Sequence, residues 1–448
     1  MSNLVIRTIQ TPDGSPVAFP DGIRIGSAGG AGMVNHIGVP GQQGFGVGIA
    51  PELPAGFAKL YGTEDPASDN YGNYVYSDGS VMCYIPAFFY KYGTGTNGLA
   101  INVVDIKPFS QFATVADANA SGYALHRAFY NGGSIRQGFF VDKYLCSNNS
   151  GVASSLKNGI ALSSAQRGSL STATFASLTG APGNNLAGAI AAAKTRGSRF
   201  HVNTRFIRGA MALLANAHGS AATGSTWCAW YSAGSTNFPK GCNNNALGDA
   251  NDAAIAYVSD GNGTYACGKT GSANIFARTT HNGQVCGVAD LNGLLWEAEL
   301  GLTSNGTNFF VLKTATDVGT ITGGNSGATD AWGATGLAAM YDDIGATYEI
   351  LTASASNKVF GAAAQVLSAS TSGTAWSFAG LGIPIVGGTG GSNQFGSDYL
   401  YDARPNELCA LSGGNWTDGS NAGVWALFLS SVRGSSDNSV GFRAASYL

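Results

Sequence analysis

Residues 408–445 read LCALSGGNWTDGSNAGVWALFLSSVRGSSDNSVGFRAA. Short apolar runs alternate here with stretches of serine, asparagine, aspartate and glycine, a pattern typical of short strands joined by long turns. The adjacent Gly413 and Gly414 permit a tight turn, and we expect Trp416 to pack in the core directly after it. The segment therefore predicts a loop-rich structure in which buried aromatic side chains lie beside small polar ones.

The composition of the whole chain agrees with this pattern. Of the 448 residues 66 are glycine, roughly twice the ordinary share, whereas charged residues make up only 11%. Hydrophobic residues reach 44%, which is enough to form a core and argues against disorder. The formal net charge of −3 gives no electrostatic footprint for nucleic acid, and no apolar run approaches the roughly 20 residues that span a bilayer. We therefore expect a folded protein with no nucleic-acid partner and no membrane insertion.

Secondary-structure patterns upstream of this segment are short. The aromatic and β-branched run at 81–92 predicts a strand or hairpin. Asn185 is a candidate N-cap for one helix, and Asn203 or Thr204 for a second helix whose apolar residues share one face. These patterns predict an α+β protein with few helices.

Motifs for catalysis or metal binding are weak. The seven cysteines are odd in number and lack CxxC spacing, which favours buried, reduced thiols, and the five histidines form no metal-binding pair. Residues 263–270, GTYACGKT, match the P-loop pattern, but Gly271 follows where a helix would have to begin, so we interpret the match as accidental. Asp260 and Asn262 are more typical of a turn than of a calcium loop.

A family resemblance rests on four segments in a fixed order. They are GFFVDKYLCS at 138–147, RFIRGAMALLANAHG at 205–219, DLNGLLWEAELGL at 290–302, and the C-terminal stretch with its GGNW and GFR. With them, residues 124–448 resemble the formylglycine-generating, sulfatase-modifying fold, a variant of the C-type lectin fold. We expect Trp296 and Phe442 to be core aromatics and Arg443 to pair with a carboxylate beneath the site.

The chain departs from the enzymes of this family at the catalytic position. Those enzymes use paired cysteines between their GGSW-like and GFR segments, but residues 410–448 contain no cysteine and Cys409 precedes the glycines. Without a thiolate no oxidase chemistry is expected. We therefore expect a binding protein and not an enzyme, without a cofactor, although a structural Ca²⁺ stays open.

A second resemblance concerns the phage branch of the fold. Residues 71–147 are similar to the strand-rich segment that precedes the lectin domain in phage tail proteins, including retroelement-diversified proteins of the major tropism determinant type. This resemblance implies a tail fibre or tail-tip homotrimer that contacts other tail proteins and binds a host-cell surface receptor, either a protein or a glycan. A structural decoration protein of the virion is the alternative. Synthesis in the cytoplasm without a signal peptide, release by lysis and a place in the virion are expected.

The resemblance and the composition divide the chain into three regions. Residues 1–50 are glycine-rich yet apolar, which suits a segment for attachment or oligomerisation and equally a loose tail. Residues 51–123 form a small β-rich region, and residues 124–448 form the C-type-lectin-like domain. Within that domain, residues 415–439 are the expected ligand-binding segment, and their composition fits either a diversified surface or an ordinary polar loop.

Retroelement diversification changes adenines, so that Asn codons become codons for residues such as Ser, Thr, Asp, Phe and Tyr. Phe428 is the expected receptor anchor, with Trp425 and Arg433 in support, although Trp425 is equally compatible with the core. The other predicted receptor-binding residues are small and polar. They are Asn415, Thr417, Asp418, Ser420, Asn421, Ser430, Ser431, Ser435, Ser436, Asp437 and Ser439.

Overall fold

The computed structural model describes residues 33–180, 183–231, 238–322, 337–348, 350–352, 356–360, 364–387 and 395–448. Within these residues the protein is a mixed α and β structure in which strands outnumber helices and long loops join them. The predicted α+β class is confirmed at this level. The C-type-lectin-like type of the domain stays a prediction.

The first of two six-stranded sheets in the described residues connects distant parts of the chain. Its strand order is β1-β2-β3-β9-β24-β12, and every pairing is antiparallel. The strands are β1 Phe57–Lys59, β2 Asn73–Tyr76, β3 Val81–Pro86, β9 Gly138–Asp142, β12 His201–Val202 and β24 Ala444–Tyr447. Strands from both sides of the predicted boundary at 123/124 therefore share one sheet.

The second six-stranded sheet carries the C-terminal segment. Its strand order is β19-β20-β22-β21-β15-β23, in which β20 with β22 and β15 with β23 are parallel pairs. The other pairings are antiparallel. The strands are β15 Trp296–Glu299, β19 Ser356–Val359, β20 Tyr399–Asp402, β21 Ala410–Ser412, β22 Leu427–Phe428 and β23 Val440–Gly441.

Smaller sheets account for the other described strands. One three-stranded sheet contains β4 Phe88–Tyr92, β5 Val104–Pro108 and β6 Ala124–Leu125, and another contains β16 Leu302–Ser304, β17 Phe309–Leu312 and β18 Tyr341–Gly345. Three two-stranded pairs are β7 Tyr130–Asn131 with β8 Ser134–Ile135, β10 Cys146–Asn149 with β11 Val152–Ser155, and β13 Gly248–Asp249 with β14 Asp252–Ala256. The run at 81–92 is confirmed as strand, but β3 and β4 join different sheets and do not form a hairpin.

The described α-helices are α1 Val115–Ala120, α2 Phe175–Thr179, α3 Leu186–Lys194, α4 Arg205–Ala221 and α5 Gly373–Leu381. Both predicted N-caps are confirmed, since the Asn185 side chain accepts from the Gly188 amide and the Thr204 hydroxyl accepts from the Ile207 amide, each at 3.1 Å. Helix α4 is buried on nearly all sides, where it contacts α5, β5 and β21. It therefore supports the second sheet from beneath.

The main hydrophobic core also includes residues near the described N-terminus. Ile37, Phe45 and Val47 are fully buried in it. The carbonyl oxygen of Phe45 accepts from Asn282 Nδ2 at 2.7 Å, far along the chain. Residues 33–50 thus pack with residues of the predicted lectin-like domain, whereas residues 1–32, most of the predicted attachment region, lie outside the described residues.

Candidate functional site

One face of the second sheet carries four aromatic side chains in succession. Strand β20 alternates, so that Tyr399 and Tyr401 are partly exposed while the intervening Leu400 is buried. The Tyr401 ring centroid lies 6.1 Å from that of Tyr399 and 5.1 Å from that of Phe428, whose ring lies 5.8 Å from that of Trp296. We call these four residues the aromatic ladder. Tyr399, Tyr401 and Phe428 are partly exposed, whereas Trp296 is buried in the core as expected, so the ladder is an apolar strip that leads from the surface into the core.

A cleft continues the same face beyond Phe428. The sheet register places Leu411 opposite Phe428, and Ala298 opposite Leu411, so these three side chains share one face. Leu411 and Ala298 line a small cleft of about 30 Å³, whose rim includes Ser431 and Asp437. The ladder therefore leads into a concavity with an apolar floor and a polar rim, the composition that ligand-binding sites usually have.

The loop at 415–421 lies beside the Tyr399 end of the ladder. The Asp418 carboxylate accepts from the Asn415 amide at 2.6 Å, and the Asn415 side chain accepts from the amide and hydroxyl of Thr417 at 2.7 and 2.8 Å. Burial raises the pKa of Tyr399 to about 12, and the electrostatic effects of Tyr401 and Asp418 act in the same direction. The Tyr399 hydroxyl therefore remains protonated at neutral pH. The neighbouring loop is held in place by hydrogen bonds to the side chains of Asn415 and Asp418.

The loop at 430–439 lies at the other end of the ladder. The Ser439 carbonyl oxygen accepts from the Trp296 amide at 2.8 Å. The Asp437 carboxylate accepts from the amide and hydroxyl of Ser439 at 2.7 and 2.6 Å, and the Ser164 hydroxyl donates to the Asp437 carbonyl oxygen at 2.8 Å. The two polar loops thus flank the aromatic ladder.

Most of the predicted receptor-binding residues lie at the surface. Exposed residues are Thr417, Ser420, Asn421, Ser430, Ser435, Ser436 and Asp437. Partly exposed residues are Asn415, Asp418, Phe428, Ser431 and Ser439. Their function as receptor contacts stays a prediction.

Two of the predicted contact residues are buried, which corrects their assignment to a surface. Trp425 is only 1% exposed, and its ring stacks on that of Phe360 at 4.6 Å between centroids. Arg433 is 2% exposed, and its amide donates to the Glu407 carbonyl oxygen at 2.8 Å. Trp416, predicted to be in the core, is confirmed there. Trp425 and Arg433 therefore lie beneath the surface and support residues 415–439 from within.

The opposite face of the same strands carries a buried ion-pair network. Because strand residues alternate, Glu297 faces away from Trp296, and its carboxylate accepts from Arg443 Nε at 2.6 Å and Arg208 Nη1 at 2.9 Å. The expected pairing of Arg443 with a carboxylate is confirmed. Burial raises the pKa of nearby Glu299 to about 7, although the positive charges of Arg205 and Arg208 act to lower it. Glu297 is therefore the principal counter-ion in this network.

The P-loop-like segment, the Asp260 turn and the cysteines all have structural positions in the fold. Thr270 of the P-loop-like segment is fully buried, and its hydroxyl donates to the Leu156 carbonyl oxygen at 2.7 Å. Residues 271–275 form no helix after it, so the phosphate-binding arrangement is not built. Asp260 pairs with Arg167 at 2.7 Å, in keeping with a structural turn. All seven cysteines are buried and free, as the sequence predicts.

Two kinds of site are absent from the described residues. No group of three or more His, Cys, Asp or Glu side chains there is arranged to hold a metal ion. Among the same residues, no helix combines the length and apolar character needed to cross a bilayer.

Comparisons with known proteins identify no family. No protein-family model matches the chain, and no curated protein matches it. Solved structures with a likeness to the chain include those titled Major Tropism Determinant U1 Variant, M1 Variant and P3c Variant, at 12%, 12% and 13% sequence identity and a TM-score of 0.29 each. The matches cover 83%, 82% and 89% of this chain but 65%, 63% and 73% of those structures. The chain thus spans about two thirds of the length of the first two.

Proposed function

We propose that this protein is a virion protein of a phage tail fibre or tail tip that binds a host-cell surface receptor. The contact surface would consist of the aromatic ladder, the adjoining cleft and the loops at 415–421 and 430–439. The observation that carries this proposal is the strip of partly exposed rings at Tyr399, Tyr401 and Phe428 between two polar loops. The assignment to a virion rests on the sequence resemblance to phage tail proteins.

The chemistry of this surface favours recognition of a macromolecule. Protein interfaces obtain most of their binding energy from a few large anchors, aromatic ones above all, surrounded by groups that exclude water. The ladder supplies such anchors, and the exposed serines, threonine and asparagine of the two loops supply adaptable hydrogen-bonding groups. We therefore propose binding, without catalysis, as the activity.

Finer parts of the function are also proposals. Diversification by a retroelement is supported by the position of the candidate residues, because the exposed ones lie in loops while the intervening Leu427 and Leu429 are fully buried. Changes at such exposed positions leave the core intact. Assembly through residues 1–50 into a homotrimer would add avidity to weak single-site contacts.

Phe428→Ala tests the proposed surface. We expect the adsorption of phage particles to the host to fall at least about tenfold, which corresponds to 1.4 kcal/mol, because the variant removes the central ring of the ladder. Adsorption is measured as the rate at which free particles disappear from a cell suspension, and the thermal midpoint of the purified variant is measured in parallel.

Tyr61→Ala is the matched control, since Tyr61 is an aromatic side chain that is 98% exposed outside the ladder and its flanking loops. It should adsorb like the wild type. Normal adsorption by Phe428→Ala, Tyr401→Ala and Ser431→Ala alike would show that the receptor surface lies elsewhere.

A further inference from the structure

A second cleft, separate from the candidate site, lies between three segments of the chain. It has a volume of about 210 Å³ and is lined by the turn at 66–69, by residues 226–229 after α4, and by residues 283–286, with Gln43 at its edge. It shares no lining residue with the cleft beside the aromatic ladder. A ligand here would therefore not compete with one on the ladder.

An exposed tryptophan forms one wall of this cleft. Trp227 is 36% exposed, and no other aromatic ring among the described residues contacts it. Its backbone is held in place, because His218 Nε2 lies 2.6 Å from the Trp227 carbonyl oxygen. By contrast, Trp230 is 2% exposed and stacks on Phe238 at 4.8 Å. The described part of the fold thus leaves roughly a third of the Trp227 surface open to the solvent.

Polar side chains at the rim are free to bind a ligand. In the described structure, Gln43, Asp69 and Thr226 make no side-chain hydrogen bond within the protein. Gln284 is different, because its Oε1 accepts from the Gly44 amide at 2.7 Å and its Nε2 donates to the Gln42 carbonyl oxygen at 3.2 Å. The cleft lining therefore includes a carboxylate, an amide and a hydroxyl group that no described residue engages, while the Gln284 side chain is fixed by its own hydrogen bonds.

The walls of the cleft are built by close backbone contacts. Gly283 has a φ of +63°, and its carbonyl oxygen accepts from the Ala229 amide at 2.9 Å. A Cβ atom at Gly283 would lie 2.9 Å from that same amide nitrogen, so the two walls approach closely only because this residue is glycine. Val285 and Cys286 complete an apolar floor. The cleft is therefore preformed, which lowers the cost of binding.

We propose that this cleft binds one neutral hexopyranose unit of a glycan. A pyranose has a face of C–H groups that can stack on the Trp227 indole, and a rim of hydroxyls that can donate to Asp69 and bind Gln43. None of the described residues that line the cleft is a lysine or arginine, and the Nζ of nearby Lys143 already donates to Asn73 Oδ1 and to the Val285 carbonyl oxygen, so an anionic ligand would meet the Asp69 carboxylate with no free cation in the lining. A wholly apolar ligand would leave Asp69 and Gln43 desolvated and unpaired. The volume lies below the roughly 300 Å³ at which drug-sized sites begin, which suits a single ring.

Saturation-transfer NMR on the full chain tests this proposal. The probes are glucose, galactose, mannose and N-acetylglucosamine at millimolar concentration, with N-acetylneuraminic acid as the anionic probe. At least one neutral sugar should show saturation transfer, and the anionic sugar should show none. Trp227→Ala should weaken the binding at least tenfold, and Asp69→Asn should weaken it as well.

Two controls locate the effect. Tyr61→Ala, which removes an exposed aromatic ring outside the cleft, and Phe428→Ala, which alters only the ladder, should both bind the sugar like the wild type, with equal thermal midpoints. The proposal is overturned if no neutral sugar binds, if Trp227→Ala binds as well as the wild type, or if the sialic acid binds equally. Loss of sugar binding in Phe428→Ala would move the sugar site to the ladder and would overturn it too.

Discussion

Glu297→Ala is expected to lower the free energy of unfolding by about 3–5 kcal/mol, because it leaves buried guanidinium groups without their counter-ion. The side chains of Arg208, Arg443 and Glu297 are at most 1% exposed, so water cannot replace the lost carboxylate. Backbone carbonyls, among them those of Leu291 and Ala289, accept further bonds from the two arginines, but they carry no compensating charge. Burial raises the pKa of Glu299 to about 7, so that carboxyl is a weak substitute.

Urea unfolding of the purified protein measures this effect. Glu64→Ala is the control, since the Glu64 side chain is 54% exposed and pairs at 2.7 Å with Lys59, which is 46% exposed. Its stability should change by no more than about 0.5 kcal/mol. A loss below about 1 kcal/mol in Glu297→Ala would contradict the view that the network is the rigid base of the contact surface.

Trp425→Ala is expected to lower the free energy of unfolding by about 3–5 kcal/mol through the cavity that it leaves. The Trp425 ring packs on Phe360 and on Phe395, with ring centroids 4.6 and 6.2 Å away. A Cβ atom added at Gly382, which has a φ of +68°, would lie 2.9 Å from two atoms of the indole. The surroundings are therefore tightly packed around this ring, and alanine cannot fill its place.

Two further variants separate stability from binding at this position. Ser430→Ala, a change at an exposed residue of the same segment, should leave the midpoint of urea unfolding unchanged. Trp425→Phe keeps a buried ring and should retain normal adsorption, because the Trp425 side chain lies in the core. A stable Trp425→Ala protein that fails to adsorb would instead restore Trp425 to the receptor-contact surface.

Local features of the fold were predictable from the sequence because their causes are local. The N-caps at Asn185 and Thr204 follow from short polar side chains placed before apolar helical patterns. The burial of Trp416 and Phe442 follows from their position beside apolar residues and small residues. Sheet membership was not predictable, because β3 and β24 meet through β9, which lies far from both in sequence.

The sequence did not predict that Tyr399 and Tyr401, two of the four residues of the aromatic ladder, belong to the candidate site. Tyr399 and Tyr401 come from a strand that precedes the quoted segment, and they reach Phe428 only through the parallel pairing of β20 with β22. The alternation of aromatic and other residues in YLYD at 399–402 was the available signal for a strand with one aromatic face. Parallel strands are not joined by a tight turn, so no turn motif in the sequence marks the pairing. The sequence therefore could not show that β22 is the strand beside β20.

The burial of Trp425 and Arg433 likewise depends on distant residues. Phe360, the residue directly after β19, packs on the Trp425 ring. The Glu407 carbonyl oxygen accepts from the Arg433 amide. Neither partner can be located by reading the surrounding sequence, in which serine and glycine indicate exposure. The surrounding composition therefore predicted the exposed positions well and the buried ones poorly.

Competition between the purified protein and the phage tests whether the aromatic ladder binds the host receptor. Host cells are incubated with the wild-type chain or with Tyr401→Ala/Phe428→Ala at equal concentration, and the adsorption rate of phage particles is then measured. We expect the wild-type chain to occupy the receptor and to slow the adsorption of the phage. The double variant should have an unchanged fold by circular dichroism. With the double variant present, the adsorption rate should equal the rate measured without added protein. Equal inhibition by both proteins, or inhibition by neither, would contradict the assignment of receptor binding to the aromatic ladder.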